Sequence, residues 1–117
     1  MFQIVTGNLL DAQVDALVNT VNTVGIMGKG IALQFKEAFA NNYKIYNDAC
    51  KKGLVHIGEL LVVKDQNVIL GEKLIINFPT KKHWKQPSHY EYIELGLKAL
   101  SEYIEYNNVK SIALPPL

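Results

Sequence analysis

The sequence predicts an α/β layered domain with a largely parallel sheet, and three observations carry that expectation. Short apolar runs alternate with stretches whose apolar residues recur at helical spacing. Several of the runs are apolar at successive positions, as in strands covered on both faces. The 117 residues suffice for one core and at most one domain.

Residues 2–5 (FQIV) read as a first strand, ended by Gly7-Asn8. Residues 15–19 (DALVN) read as a second strand. The segment 20–30, TVNTVGIMGKG, has three glycines in its last six positions and reads as a loop. Ile31, Phe35 and Phe39 then recur at helical spacing, so 31–39 reads as a helix. Asn42 is placed to cap a further helix through Cys50, and Gly53 to end it. Residues 59–63 and 73–78 are strand-like, with a turn expected at 65–67. Ser88-His-Tyr-Glu91 has the pattern of a capping box. It opens a helix whose expected apolar stripe is Ile93, Leu97, Leu100 and Ile104. Asn107-Asn108 reads as its stop, and 111–114 as a last strand.

Composition narrows the function. Hydrophobic content is 49% and charged content 20%, ordinary for a globular protein. A net charge of +1 gives no global field for polyanions, so any nucleic-acid contact must come from a local patch. All 12 basic residues are lysine, which removes the bidentate arginine fork from phosphate or base readout. The single Cys50 excludes an internal disulfide; with no signal peptide in view, a reducing cytoplasm is expected. No apolar run approaches the ~20 residues of a membrane span. His56 and His89 have no metal-ligand spacing with Cys50, so neither metal nor cofactor is expected. Cys50 itself reads as a buried apolar residue.

Two stretches fall where ligands of α/β sheets sit, beyond the carboxyl ends of strands. The first is Val24-Gly-Ile-Met-Gly-Lys-Gly30. Its glycines let the backbone approach a ligand, and a helix start behind it favours an anion such as a diphosphate. It matches neither the P-loop nor the G-x-G-x-x-G pattern, and a plain strand-to-helix turn is the competing reading. Asn8, Asn19 and Asn22 can each hold a ribose hydroxyl or simply satisfy loop backbone. The second stretch is Phe78-Pro-Thr-Lys-Lys-His-Trp-Lys85. An aromatic among cations can stack a nucleobase and neutralise phosphate, a reading that takes in Lys82, His83, Trp84 and Lys85. Packing of Trp84 against the following helix is the alternative.

NTVNTVGIMGKGIALQFK (19–36), NFPTKKHWK (77–85) and IALPPL (112–117), in this order, resemble a macrodomain. Within that family the similarity is to the DarG-like branch, the DNA ADP-ribosyl glycohydrolase macrodomains of DarT/DarG toxin–antitoxin systems. The resemblance covers the whole chain and implies a three-layer α/β/α fold with a mixed sheet. It implies binding of ADP-ribose and its removal from modified bases of single-stranded DNA, opposing a DarT-like toxin.

The branch uses a lysine after a Pro-Thr step, here Lys81, as nucleophile, and Asn22 would hold the distal ribose. Backbone of Gly25, Gly28 and Gly30 would meet the phosphates, with Ile26, Met27 and Lys29 in the same loop. Leu9, Asn19, Thr23, Thr80 and Pro115 complete the implied ligand contacts. A lysine attacks only as the free amine, about one molecule in a thousand at a reference pKa of ~10.4. Neighbouring Lys82 and Lys85 would lower that value.

Two departures stand out. Asn8 occupies a position where family members usually carry Asp for the adenine amino group. The family pattern also continues past Leu-Pro-Pro-Leu117 with a second Gly-rich loop, a strand and a helix. A macrodomain of 1–117 lacking those elements is therefore expected, with an open sheet edge that allows a dimer and with weakened hydrolysis. An ADP-ribose-binding module without turnover stays open as the alternative.

Overall fold

The computed structural model describes residues 9–28, 30–83 and 89–117. The expected strand at 2–5, and Asn8, Lys29, Trp84, Lys85 and Ser88, lie outside the described residues. After a 3-10 turn at Leu9–Asp11 come β1 (Ala16–Asn22), α1 (Gly30–Ala38) and α2 (Ala40–Lys51). β2 (Leu61–Asn67), β3 (Gly71–Lys81), α3 (Tyr90–Asn107) and β4 (Ile112–Ala113) follow.

The sheet has the order β2-β3-β1-β4. β1 pairs in parallel with both β3 and β4, and β2–β3 is an antiparallel hairpin, so the sheet is mixed. Successive residues of the central strands feed opposite faces, as strand geometry requires. Leu17 and Ile75 pack with Phe35 of α1 and with Phe39, which joins α1 to α2. Val18, Ile76 and Phe78 pack with Leu100 of α3. Val21 joins Met27 with Tyr46 and Ala49 of α2. The result is an α/β/α sandwich, with α1 and α2 on one face and α3 on the other.

Three buried asparagines interrupt the apolar layer under α2. Asn19 and Asn77 are register partners on β1 and β3. Asn77 donates to Asn42 Oδ1 at 2.8 Å and to Leu61 O at 3.0 Å, and Asn42 donates back at 3.2 Å. Asn19 reaches Asn77 Oδ1 only at 3.5 Å, and its own Oδ1 has no partner among the described residues.

The structure moves several sequence expectations. Residues 65–67 lie in β2, and the turn is at 68–70. Asn67 starts it, accepting from Ile69 N at 2.9 Å and Leu70 N at 3.0 Å. Asn42 is inside α2 rather than its cap, and its backbone N–H is satisfied by the Asp65 carboxylate of β2 at 2.7 Å. α3 starts after His89, which makes no side-chain capping bond. Its stripe is rotated: Leu97 is exposed, and Gly96 takes the inner position. A Cβ on Gly96 would stand 2.3 Å from Phe78 Cζ, so the ring of Phe78 fixes how α3 sits. Asn108, left-handed with φ of 52°, ends α3 as the sequence predicts.

β3 also runs past Phe78 to Lys81. The sequence predicts its end at 78, and proline lacks the N–H that a strand paired on both sides needs. β2 ends opposite Asn77, however, and Pro79 therefore lies where only β1 is a partner.

Candidate functional site

A cavity of about 410 Å³ opens at the carboxyl ends of β1 and β3. Thr20, Val21 and Asn22 of β1, Ile26 and Gly28 of the loop, Ile31 and Ala32 of α1, and Thr80 and Lys81 of β3 line it. Its size is within the range of small-molecule sites.

One wall is the loop after β1, and Asn22 is its template. Asn22 Oδ1 receives the N–H groups of Val24 (3.1 Å), Gly25 (3.0 Å) and Ile26 (3.3 Å). Asn22 Nδ2 donates to Ile26 O at 2.8 Å. The buried Tyr46 hydroxyl of α2 donates to Asn22, with its backbone oxygen at 2.8 Å and Oδ1 at 2.9 Å. Asn47 Nδ2 holds Gly25 O at 3.0 Å. Gly25 needs glycine twice over: its φ is +95°, and a Cβ would come within 3.1 Å of Asn47 Nδ2. Gly28 differs. A Cβ there would meet only Ile26 Cγ2, at an ordinary 3.4 Å, so the fold itself does not demand glycine at this cavity-lining position. Burial pushes the Tyr46 hydroxyl well above its ordinary value, so it stays protonated and donating. Burial likewise pushes the half-buried Cys50 thiol up, partly offset by hydrogen bonding to Tyr46.

The other wall is the end of β3. Val21 pairs with Pro79 and Asn22 with Lys81, so Thr80 is an extra residue, a bulge beside the cavity. Bulges re-aim side chains. Here Lys81 lines the cavity, whereas Lys82 Nζ lies 5.6 Å from the ring centroid of Tyr92 on α3. His89 packs edge-on against the same ring at 4.8 Å. Thr23 closes the wall: its N–H donates to Lys81 O at 3.1 Å and its hydroxyl to Lys82 O at 2.8 Å.

Of the residues singled out in the sequence, the cavity thus gathers Asn22, Ile26, Gly28, Thr80 and Lys81. It does not gather Leu9, Asn19 or Met27, which are buried in the core. Gly25 is covered by α2, and the hydroxyl of Thr23 is taken by the Lys82 carbonyl. Gly30 opens α1 beside the cavity without lining it, and Pro115, after β4, is not among the lining residues either. Thr20, Val21, Ile31 and Ala32 were missed, although their places at a strand end and in a first helical turn are the available signal. Tyr46 and Asn47 were missed too. A polar pair in the middle of a helix gives little hint of a partner more than twenty positions away. Among the described residues no three His, Cys, Asp or Glu converge to hold a metal ion. No helix of the described residues is long and apolar enough to cross a membrane.

The macrodomain family model ("Macro domain") matches residues 18–117. This chain belongs to the macrodomain family. A DNA ADP-ribosyl glycohydrolase of Thermus aquaticus is 57% identical over all 117 residues, which make up 32% of that relative. The macrodomain of Mycobacterium tuberculosis DarG superposes with a TM-score of 0.93 at 51% identity, covering 100% of this chain and 76% of that one. Thermosipho africanus DarTG, solved in complex with ADP-ribose, gives a TM-score of 0.89 at 33% identity, covering 99% of this chain and 33% of that one. The chain spans about a third of the length of the curated relatives it matches.

Proposed function

We propose that this macrodomain is an ADP-ribosyl glycohydrolase that releases ADP-ribose from modified bases of single-stranded DNA and so opposes a DarT-like toxin. The observation that carries this reading is the placement of one lysine. The Thr80 bulge turns Lys81 into the cavity, while the next lysine is drawn away onto Tyr92. A relative 57% identical over the whole chain bears the same activity in its name.

In this reading the diphosphate lies along the loop at Gly28 and against the first turn of α1, where helix N–H groups and the absence of a side chain favour it. The distal ribose lies between Asn22 and Lys81. One Asn22 amide hydrogen goes to Ile26 O, and the second is its remaining donor for a ribose hydroxyl. The free amine of Lys81 attacks the anomeric carbon, and a new C–N bond forms as the bond to the base breaks. The base leaves with that electron pair and takes up a proton. Water then releases the sugar and restores the amine. Lys82, held toward α3, faces the flanking DNA strand.

The test is to incubate the chain with an oligonucleotide carrying ADP-ribose on one base, beside calorimetry with ADP-ribose and with AMP. Release of ADP-ribose, lost in Lys81→Ala with ADP-ribose affinity retained, supports the enzyme. ADP-ribose binding without release by the wild-type chain supports the reader instead. Absence of both sinks the proposal.

A further inference from the structure

Beyond Asn77, β3 has no β2 residue to pair with. Its last register pair with β1 is Asn22↔Lys81. Among the described residues the backbone of Lys81-Lys82 is met from the β1 side, and beyond that register pair two bonds from a single residue hold it. Thr23 N–H meets Lys81 O at 3.1 Å, and Thr23 Oγ1 meets Lys82 O at 2.8 Å. The hydroxyl reaches across 59 positions of sequence to fix the carbonyl just past the lysine that lines the cavity. Thr23 does not line the cavity itself.

We infer that Thr23 is a positioning residue for the reaction: its hydroxyl clamps the β3 tip so that the Lys81 amine stands at the reacting carbon. This rests on the reading of Lys81 as nucleophile. The bulge at Thr80 turns Lys81 inward, but a bulge by itself leaves a strand end free to swing. The hydroxyl bond removes that freedom without touching the ligand. The clamp therefore acts on the chemical step, and ADP-ribose binding through the loop and α1 is independent of it. Misplacement of a reacting group by about 1 Å can lower a rate on the order of 10²-fold.

Thr23→Val keeps the shape and removes the hydroxyl, and Thr23→Ser keeps the hydroxyl and removes the methyl. Both are measured beside Lys81→Ala in single-turnover release of ADP-ribose from the modified oligonucleotide, with calorimetric ADP-ribose affinity and thermal midpoint on each. Loss of one of the two bonds should slow Thr23→Val about ten-fold. Its affinity should stay within about two-fold of wild type, and Thr23→Ser should recover the wild-type rate. A wild-type rate in Thr23→Val, with Lys81→Ala inactive, overturns the clamp and leaves the lysine reading standing. Equal losses of rate and affinity, or no recovery in Thr23→Ser, also overturn it, since the residue would then only shape the loop. Activity retained in Lys81→Ala overturns the lysine reading and the clamp with it.

Discussion

The loop after β1 and the tip of β3 form facing walls of one cavity, yet different forces hold them. The loop is built on side chains: three N–H groups converge on Asn22 Oδ1, and Tyr46 and Asn47 of α2 hold it from behind. The tip of β3 is built mostly on backbone, through its register with β1, the bulge at Thr80 and the Thr23 N–H bond, with the Thr23 hydroxyl added at its end. A wall made of side-chain bonds can be damaged one residue at a time. A wall made of register is set by the whole sheet, and only its end is locally adjustable. On the proposed reading, binding and reaction would fall to separately supported parts.

The largest effect expected is on the reacting wall. Lys81→Ala should lower ADP-ribose release by about 10³-fold or more while ADP-ribose affinity stays nearly unchanged. Equal loss of both in rate and calorimetric measurements would erase the division between the walls.

Next come the two glycines that the fold demands. Gly96→Ala drives a methyl into Phe78, the residue just before the tip of β3, and should destabilise by about 1–3 kcal/mol in urea unfolding. Gly25→Ala meets both a positive φ and the close approach of Asn47, with a similar loss of about 1–3 kcal/mol. Its loss should be accompanied by weaker ADP-ribose binding, whereas Gly96→Ala should leave affinity alone in the molecules that remain folded.

Tyr46→Phe should cost about 1 kcal/mol through the loss of its bond to Asn22. It should also change the alkaline limb of stability. The folded hydroxyl holds its proton more tightly than the unfolded one, whose ordinary value is 10.0. Stability from this group is thus fully present below pH 10 and declines as pH rises above it, by at most about 1.4 kcal/mol per pH unit. Urea midpoints from pH 9 to 11 should fall more steeply in the wild type than in Tyr46→Phe.

The smallest effect on stability should come from Gly28→Ala, within about 0.5 kcal/mol, because nothing in the fold crowds that position. Its ADP-ribose affinity should nonetheless fall several-fold. Unchanged binding in that variant would remove the ligand from the loop wall.

Local pattern was enough to read most elements. The helical spacing of Ile31, Phe35 and Phe39 marked α1, and the apolar run at 74–76 marked β3. Asn108 ended α3 where the sequence places the stop, because a left-handed Asn is a local device. The misplaced boundaries share one cause, a partner distant in sequence. Asp65 looked like a turn residue, but its carboxylate satisfies Asn42 N–H, 23 positions away. β3 runs on to Lys81 instead of ending at 78, and the end of β2 opposite Asn77, which leaves room for Pro79, is invisible in a linear reading. The same limit holds for the site. Lys81 could be singled out from its neighbours by resemblance, but the bulge that aims it is a property of paired strands. The roles of Tyr46 and Thr23 depend on partners 24 and 59 positions away.

The buried asparagine pair bears on which lysine lines the cavity. Asn19 and Asn77 face each other only in the observed phase of β1 against β3. A slip of one residue would turn every side chain of the shifted strand to the opposite face. It would strand the Asn77 amide among the apolar residues under α3 and bring Lys82 to the cavity in place of Lys81. Asn19 Oδ1 has no partner among the described residues in the observed phase, whereas the slipped phase would orphan the Asn42–Asn77 pair as well. Two neutral amides deep in the sheet thus favour the phase in which Lys81, rather than its neighbour, lines the cavity at the rim.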